Sequence, residues 1–119
     1  MRHLCKTTIA LAVILFPAAA LAHAMLDHAS PRVGGTVVTA PKELTLWFTE
    51  KLEPAFSTAE VRNAQGAVQS GKAQVDRNDA TQLHVPLKAL PDGTYQVIWR
   101  VLSVDTRRTQ GSFTFRVGP

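Results

Sequence analysis

The sequence predicts an all-β domain, a small antiparallel β-sandwich or barrel that follows a cleavable signal peptide. Three observations predict it. Four segments alternate apolar and polar residues with period two, turn-forming residues stand between them, and no stretch after residue 22 sustains a helical period.

The leader comes first. Arg2 and Lys6 supply positive charge, Ile9 to Leu15 is apolar, and Ala20-Leu21-Ala22 is the small-x-small pattern that precedes a cleavage point. The apolar run falls short of the roughly 20 residues that a membrane-spanning helix needs. The expected mature chain is 23–119, one domain. Cys5, the single cysteine, leaves with the leader. An exported domain without disulfides depends on packing for its stability.

The strands follow in order. Leu44, Leu46 and Phe48 alternate with Thr45, Trp47 and Thr49. Leu83, Val85 and Leu87 alternate with His84 and Pro86, where the proline marks a strand edge or a bulge. Tyr95, Val97, Trp99 and Val101 form the third apolar face, and Phe113, Phe115 and Val117 the fourth. Trp99 therefore belongs to the core, whereas Trp47 points the other way. Turn signals stand at Ser30-Pro31, Gly34-Gly35, Ala40-Pro41, Gln65-Gly66 and Pro91-Asp92-Gly93. Residues 67–81 are the most polar stretch and read as a weak strand with a surface loop.

Composition excludes several classes of function. The formal charge is +4, of which Arg2 and Lys6 belong to the leader. The remaining charges are interspersed, with neither the basic patch nor the aromatic–basic alternation of a nucleic-acid binder. There is no G-x-S-x-G, no phosphate-binding glycine loop and no zinc-type Cys/His spacing.

Cleavage after Ala22 places a free α-amine on a histidine, His23. That amine and the imidazole Nδ1 of the same residue can close a chelate ring on one metal ion, and tetragonal nitrogen/oxygen coordination suits Cu(II). By position alone, a histidine after a cleavage site is more often incidental.

The stretch His23-Ala24-Met25-Leu26-Asp27-His28-Ala29-Ser30-Pro31 with Val33-Gly34 resembles the CopC family of periplasmic copper-binding proteins. So do Ala40 to Leu52 (APKELTLWFTEKL), Leu83-His84-Val85-Pro86-Leu87, Leu90 to Tyr95 (LPDGTY), Trp99 to Thr106 (WRVLSVDT) and Gly111-Ser112-Phe113-Thr114-Phe115. The matches run in order along nearly the whole mature chain. The resemblance implies a Greek-key β-sandwich of immunoglobulin-like or cupredoxin-like form. It also implies one Cu(II) ion, a periplasmic location and an inner-membrane copper transporter (CopD-like) as partner.

The family builds its Cu(II) site from an N-terminal histidine, an aspartate and a histidine two residues beyond. The resemblance carries the first two roles to His23 and Asp105. The third position is Arg107, which has a permanent charge and no lone pair for a metal. The expected ligands are therefore His23, through amine and imidazole, and Asp105. His28 is a substitute donor only if its segment bends back, and His84 reads as an exposed strand histidine. Asp105 could equally be a turn aspartate paired with Arg107 or Arg108. Mature Met25 is a lone methionine, so no methionine-type Cu(I) site is expected.

Three functions compete. The first is a copper carrier or buffer in copper homeostasis and resistance, which is not an enzyme. The second is a metal-free interaction module, favoured by Arg107. The third is a copper-dependent oxidative enzyme, disfavoured by the missing second histidine.

Overall fold

The computed structural model describes residues 23–119; the leader expected at 1–22 lies outside them. Eight strands follow in chain order: β1 (Leu26–Ser30), β2 (Thr36–Val37), β3 (Glu43–Phe48), β4 (Thr58–Arg62), β5 (Gln74–Val75), β6 (Gln82–Pro86), β7 (Gly93–Leu102) and β8 (Arg108–Val117). Among the described residues the helical content is one 3₁₀ turn, Pro54–Phe56.

The strands form two four-stranded sheets, ordered β1-β3-β6-β5 and β2-β8-β7-β4. Only β5–β6 and β7–β8 are successive strands that pair within one sheet. Every other connection crosses between the sheets, which makes the sandwich. One pairing departs from the antiparallel expectation: β2 runs parallel to β8, through Thr36 beside Arg116 and Val37 beside Val117.

The alternation read from sequence becomes the core. Leu44, Leu46 and Phe48 of β3 meet Leu83 and Val85 of β6, and Tyr95, Val97, Trp99 and Val101 of β7 meet Phe113, Phe115 and Val117 of β8, all buried. Trp99 is core, as expected. Its ring stands edge-on to Phe48, with centroids 5.2 Å apart and planes at 74°, and so joins the two sheets. Tyr95 stacks beside Phe115, and its hydroxyl donates to the Pro91 carbonyl. Burial raises the pKa of Tyr95, with the Asp92 carboxylate adding to the shift.

Pro86 sits where the sheet tolerates it. Leu87 N–H bonds the Lys42 carbonyl on the β3 side, so the proline nitrogen, one residue earlier, faces the other way. There β5 has ended, since it pairs only with His84 and Leu83. Segment 67–81 contains β5 and two isolated bridges, at Val68 and Ser70, and is otherwise loop.

Gly111 faces Trp99 across the β7–β8 pair. A Cβ there would fall 2.5 Å from Trp99 Cζ2, which the packed ring cannot yield without moving. Gly111→Ala is expected to destabilise the domain by about 1–3 kcal/mol, the range for overpacking a core. Urea unfolding measures it, and an unchanged midpoint would show that Trp99 has room to shift.

Candidate metal centre

A segment outside the regular strands keeps one place only when something ties it down. The segment His23–Met25 is tied. Thr49, just past the end of β3, accepts from Met25 N–H through Oγ1 at 3.0 Å and donates that hydroxyl to the His23 carbonyl at 3.3 Å. Its own N–H bonds the Met25 carbonyl at 2.9 Å. On the other sheet, Thr109 Oγ1 donates to the Ala24 carbonyl at 2.7 Å. The Ala24 side chain is fully buried in the core. The backbone of His23 is thus held between the sheets while the residue itself stays exposed.

Asp105 sits in the turn between β7 and β8. The last ladder pair is Leu102 with Arg108, and beyond it Ser103 N–H bonds the Arg107 carbonyl at 3.0 Å. Val104, Asp105 and Thr106 form the tip. Thr106 N–H returns to the Ser103 carbonyl at 2.9 Å, and Thr106 takes φ 66°. A three-residue hairpin loop commonly ends with a left-handed residue, normally glycine. A β-branched threonine in that region is strained, and such strain persists only where the surroundings impose it. The buried Ser103 is one such constraint, its Oγ accepting from Arg107 N–H at 3.3 Å. Val104 N–H to the Lys51 carbonyl, at 3.0 Å, is another.

The two predicted ligands therefore lie at one end of the sandwich. Thr109, which holds Ala24, is four residues beyond Asp105 on the strand that leaves its turn. Among the described residues no ion pair engages Asp105, so the pairing with Arg107 or Arg108 does not form. Arg107 shares its strand face with Thr109, because the inward parity of Phe113 runs back through Gly111 and Thr109 to position 107. Among the described residues no three His, Cys, Asp or Glu side chains gather as a metal cluster. On a chain cleaved after Ala22, as the sequence predicts, His23 would supply two donors to a metal at this end. An amine, an imidazole and a carboxylate are a nitrogen/oxygen set that suits Cu(II).

The other histidines have partners elsewhere. His28 stacks flat on Trp47, with centroids 4.3 Å apart and planes at 9°, and its Nδ1 lies 2.6 Å from Asp27 Oδ2. That covers Trp47, whose outward direction the alternation predicted, and holds His28 on the outer face of its sheet. His84 is also on that outer face, but it is less exposed than expected. Its Nδ1 is 2.6 Å from Glu43 Oε1 and its Nε2 3.0 Å from Asp76 Oδ1, so each ring nitrogen already faces a carboxylate.

Asp76 is held below the usual aspartate range first by the Asn78 N–H, then by the Asp79 N–H and His84. Asp79 is lowered first by the Thr81 hydroxyl, then by the Gln82 amide and the Thr81 N–H. A depressed carboxylate stabilises the fold above its unfolded pKa, and that contribution is lost as pH falls through the folded value. The melting temperature should therefore hold from neutral pH down to about the ordinary value of 3.8 and drop below it. Calorimetry on Asp76→Asn should show a lower melting temperature at neutral pH and a shallower acid decline; an identical profile would remove Asp76 from the account.

Thr49 and Thr109 were missed in the sequence. The signal for Thr109 was available: counting back by twos from Phe113 puts a hydroxyl on the core face at the sheet end, where it needs a partner.

The family model described as the CopC domain matches residues 26–118. The chain belongs to the CopC family. This CopC chain is 40% identical over 98 residues to Protein YobA of Escherichia coli strain K12, covering 81% of the chain and 79% of YobA. It is 35% identical over 123 residues to Copper resistance protein C of Xanthomonas campestris pv. juglandis, covering 98% and 96%. Among solved structures, the crystal structure of CopC from Methylosinus trichosporium OB3b superposes with a TM-score of 0.77 at 31% identity. It covers 82% of this chain and 95% of that one. The Greek-key sandwich expected from the resemblance is thereby shown.

Proposed function

We propose that this CopC chain, processed to begin at His23, binds one Cu(II) ion in the periplasm as a carrier or buffer. The ligands are the His23 amine, the His23 imidazole and the Asp105 carboxylate, and water completes the coordination. The observation that carries the reading is the pinning of the His23 backbone at the same end as Asp105, which makes no ion pair among the described residues. Family membership supports it, since relatives across most of the chain are named copper resistance proteins.

The chemistry follows from the donors. Amine and imidazole must shed their protons to bind, so affinity falls in acid. Both donor residues are exposed, which leaves the ion open to ligand exchange with a receiving protein. An inner-membrane copper transporter of CopD-like type is the proposed receiver or donor. No bond is made or broken, so the protein is not an enzyme.

Arg107 favours a second reading, a metal-free module on the same fold. Titration of protein beginning at His23 with Cu(II) at neutral pH, followed by electron paramagnetic resonance, separates the two. A stoichiometric tetragonal signal with nitrogen couplings supports the carrier. A signal no different from free copper supports the module.

A further inference from the structure

We propose that Thr109 is a positioning residue that sets the spacing between the His23 chelate and Asp105; the proposal rests on the Cu(II) reading above. Amine and imidazole belong to one residue, and they close their chelate ring wherever that residue goes. Asp105 is different. It is fixed to β7 and β8 by a turn whose backbone is over-determined, through Ser103, Thr106 and the Val104–Lys51 bond. A carboxylate so held can join the ion only if His23 is brought to it and kept there.

Two contacts hold the N-terminal segment, and they are not equivalent. Thr49 ties it to β3 in the opposite sheet, by three bonds that continue the strand pattern of β1. Thr109 ties it to β8, the strand that leaves the Asp105 turn, by a single short bond of 2.7 Å to the Ala24 carbonyl. The Ala24 carbonyl lies one residue from the chelate, and Thr109 lies four residues from the carboxylate. Thr109 thus joins the two halves of the site through one side-chain hydrogen bond, whereas the path from Thr49 through Lys51 to Val104 needs two. Its side chain is partly buried, where water replaces a lost hydroxyl poorly.

The test is a double-mutant cycle on protein beginning at His23, with Cu(II) itself as the probe. Asp105→Asn alone should weaken binding about 10–100-fold, the scale on which groups around a metal site matter. Thr109→Val alone should cost a similar factor, with the melting transition largely kept. In the double variant the losses should fail to multiply, because a detached His23 no longer uses Asp105. Thr109→Ser restores the hydroxyl and should restore the affinity. In the metal-free Thr109→Val protein, amide exchange at Ala24 and Met25 should quicken at least tenfold while the β7–β8 ladder stays protected. If Thr109→Val folds poorly, Thr109→Ala, which also removes the hydroxyl, replaces it in the cycle, with Thr109→Ser as the hydroxyl-keeping control. Wild-type binding with losses that simply multiply would overturn the positioning role and leave the Cu(II) reading standing. A wild-type protein that takes up no Cu(II) would sink both.

Discussion

Acetylating the α-amine of His23 is expected to weaken Cu(II) binding by more than roughly the 10–100-fold that loss of an outer-shell partner costs. On the proposed reading the amine is one of three protein donors, and it shares its chelate ring with the imidazole. An acetylated nitrogen is an amide, which has no lone pair for a metal at neutral pH. The ring opens, and the imidazole and Asp105 must then hold the ion as separate ligands. The fold should be untouched. The backbone atoms that pin the segment are the His23 carbonyl, the Ala24 carbonyl and the Met25 N–H and carbonyl, and none is the terminal amine. Melting temperature should therefore stay constant while affinity falls and the coupling from the amine nitrogen disappears from the resonance spectrum, leaving that of the imidazole. Equal affinity for the blocked and free proteins would remove the terminus from the site.

The long strands were legible in the sequence because their faces are unequal. β3, β6, β7 and β8 bury one side and show the other, so Leu, Val and Phe alternate with polar residues. β1 was hidden for a definite reason. Leu26 pairs with Phe48 and His28 with Trp47, so Asp27 is the extra residue of a bulge. The bulge breaks the alternation between Leu26 and Ala29, both of which turn inward, and sends Asp27 and His28 outward together. The His28–Trp47 stack follows from that break and could not be read from spacing. β2 and β5 have two residues each, too few for any period, and the parallel pairing of β2 depends on a crossover. His23 and Asp105 came from the leader pattern and the family resemblance. What the sequence could not show was how the His23 segment is kept at a hairpin some eighty residues away. That is a matter of two hydroxyls meeting main-chain atoms, and neither threonine carries a motif.

Arg107→His is expected to strengthen Cu(II) binding at least tenfold, which corresponds to about 1.4 kcal/mol. Two effects point the same way. The substitution removes a permanent positive charge from the strand face that meets the N-terminal segment, and it adds an imidazole lone pair there. Arg107→Gln separates them, since it removes the charge and supplies only a weak amide donor. If charge repulsion dominates, the glutamine variant recovers most of the gain. If the vacant ligand position dominates, only histidine does, and the resonance spectrum acquires couplings from a second imidazole. Folding should be little affected by either change. The hydrogen bonds of residue 107 run through its main chain, from its N–H to Ser103 Oγ and from Ser103 N–H to its carbonyl. A histidine variant that binds no better than wild type would mean that position 107 faces away from the ion. The third protein ligand of the family would then have no counterpart on this hairpin, and the amine, imidazole and carboxylate would be the whole of what the chain offers to copper.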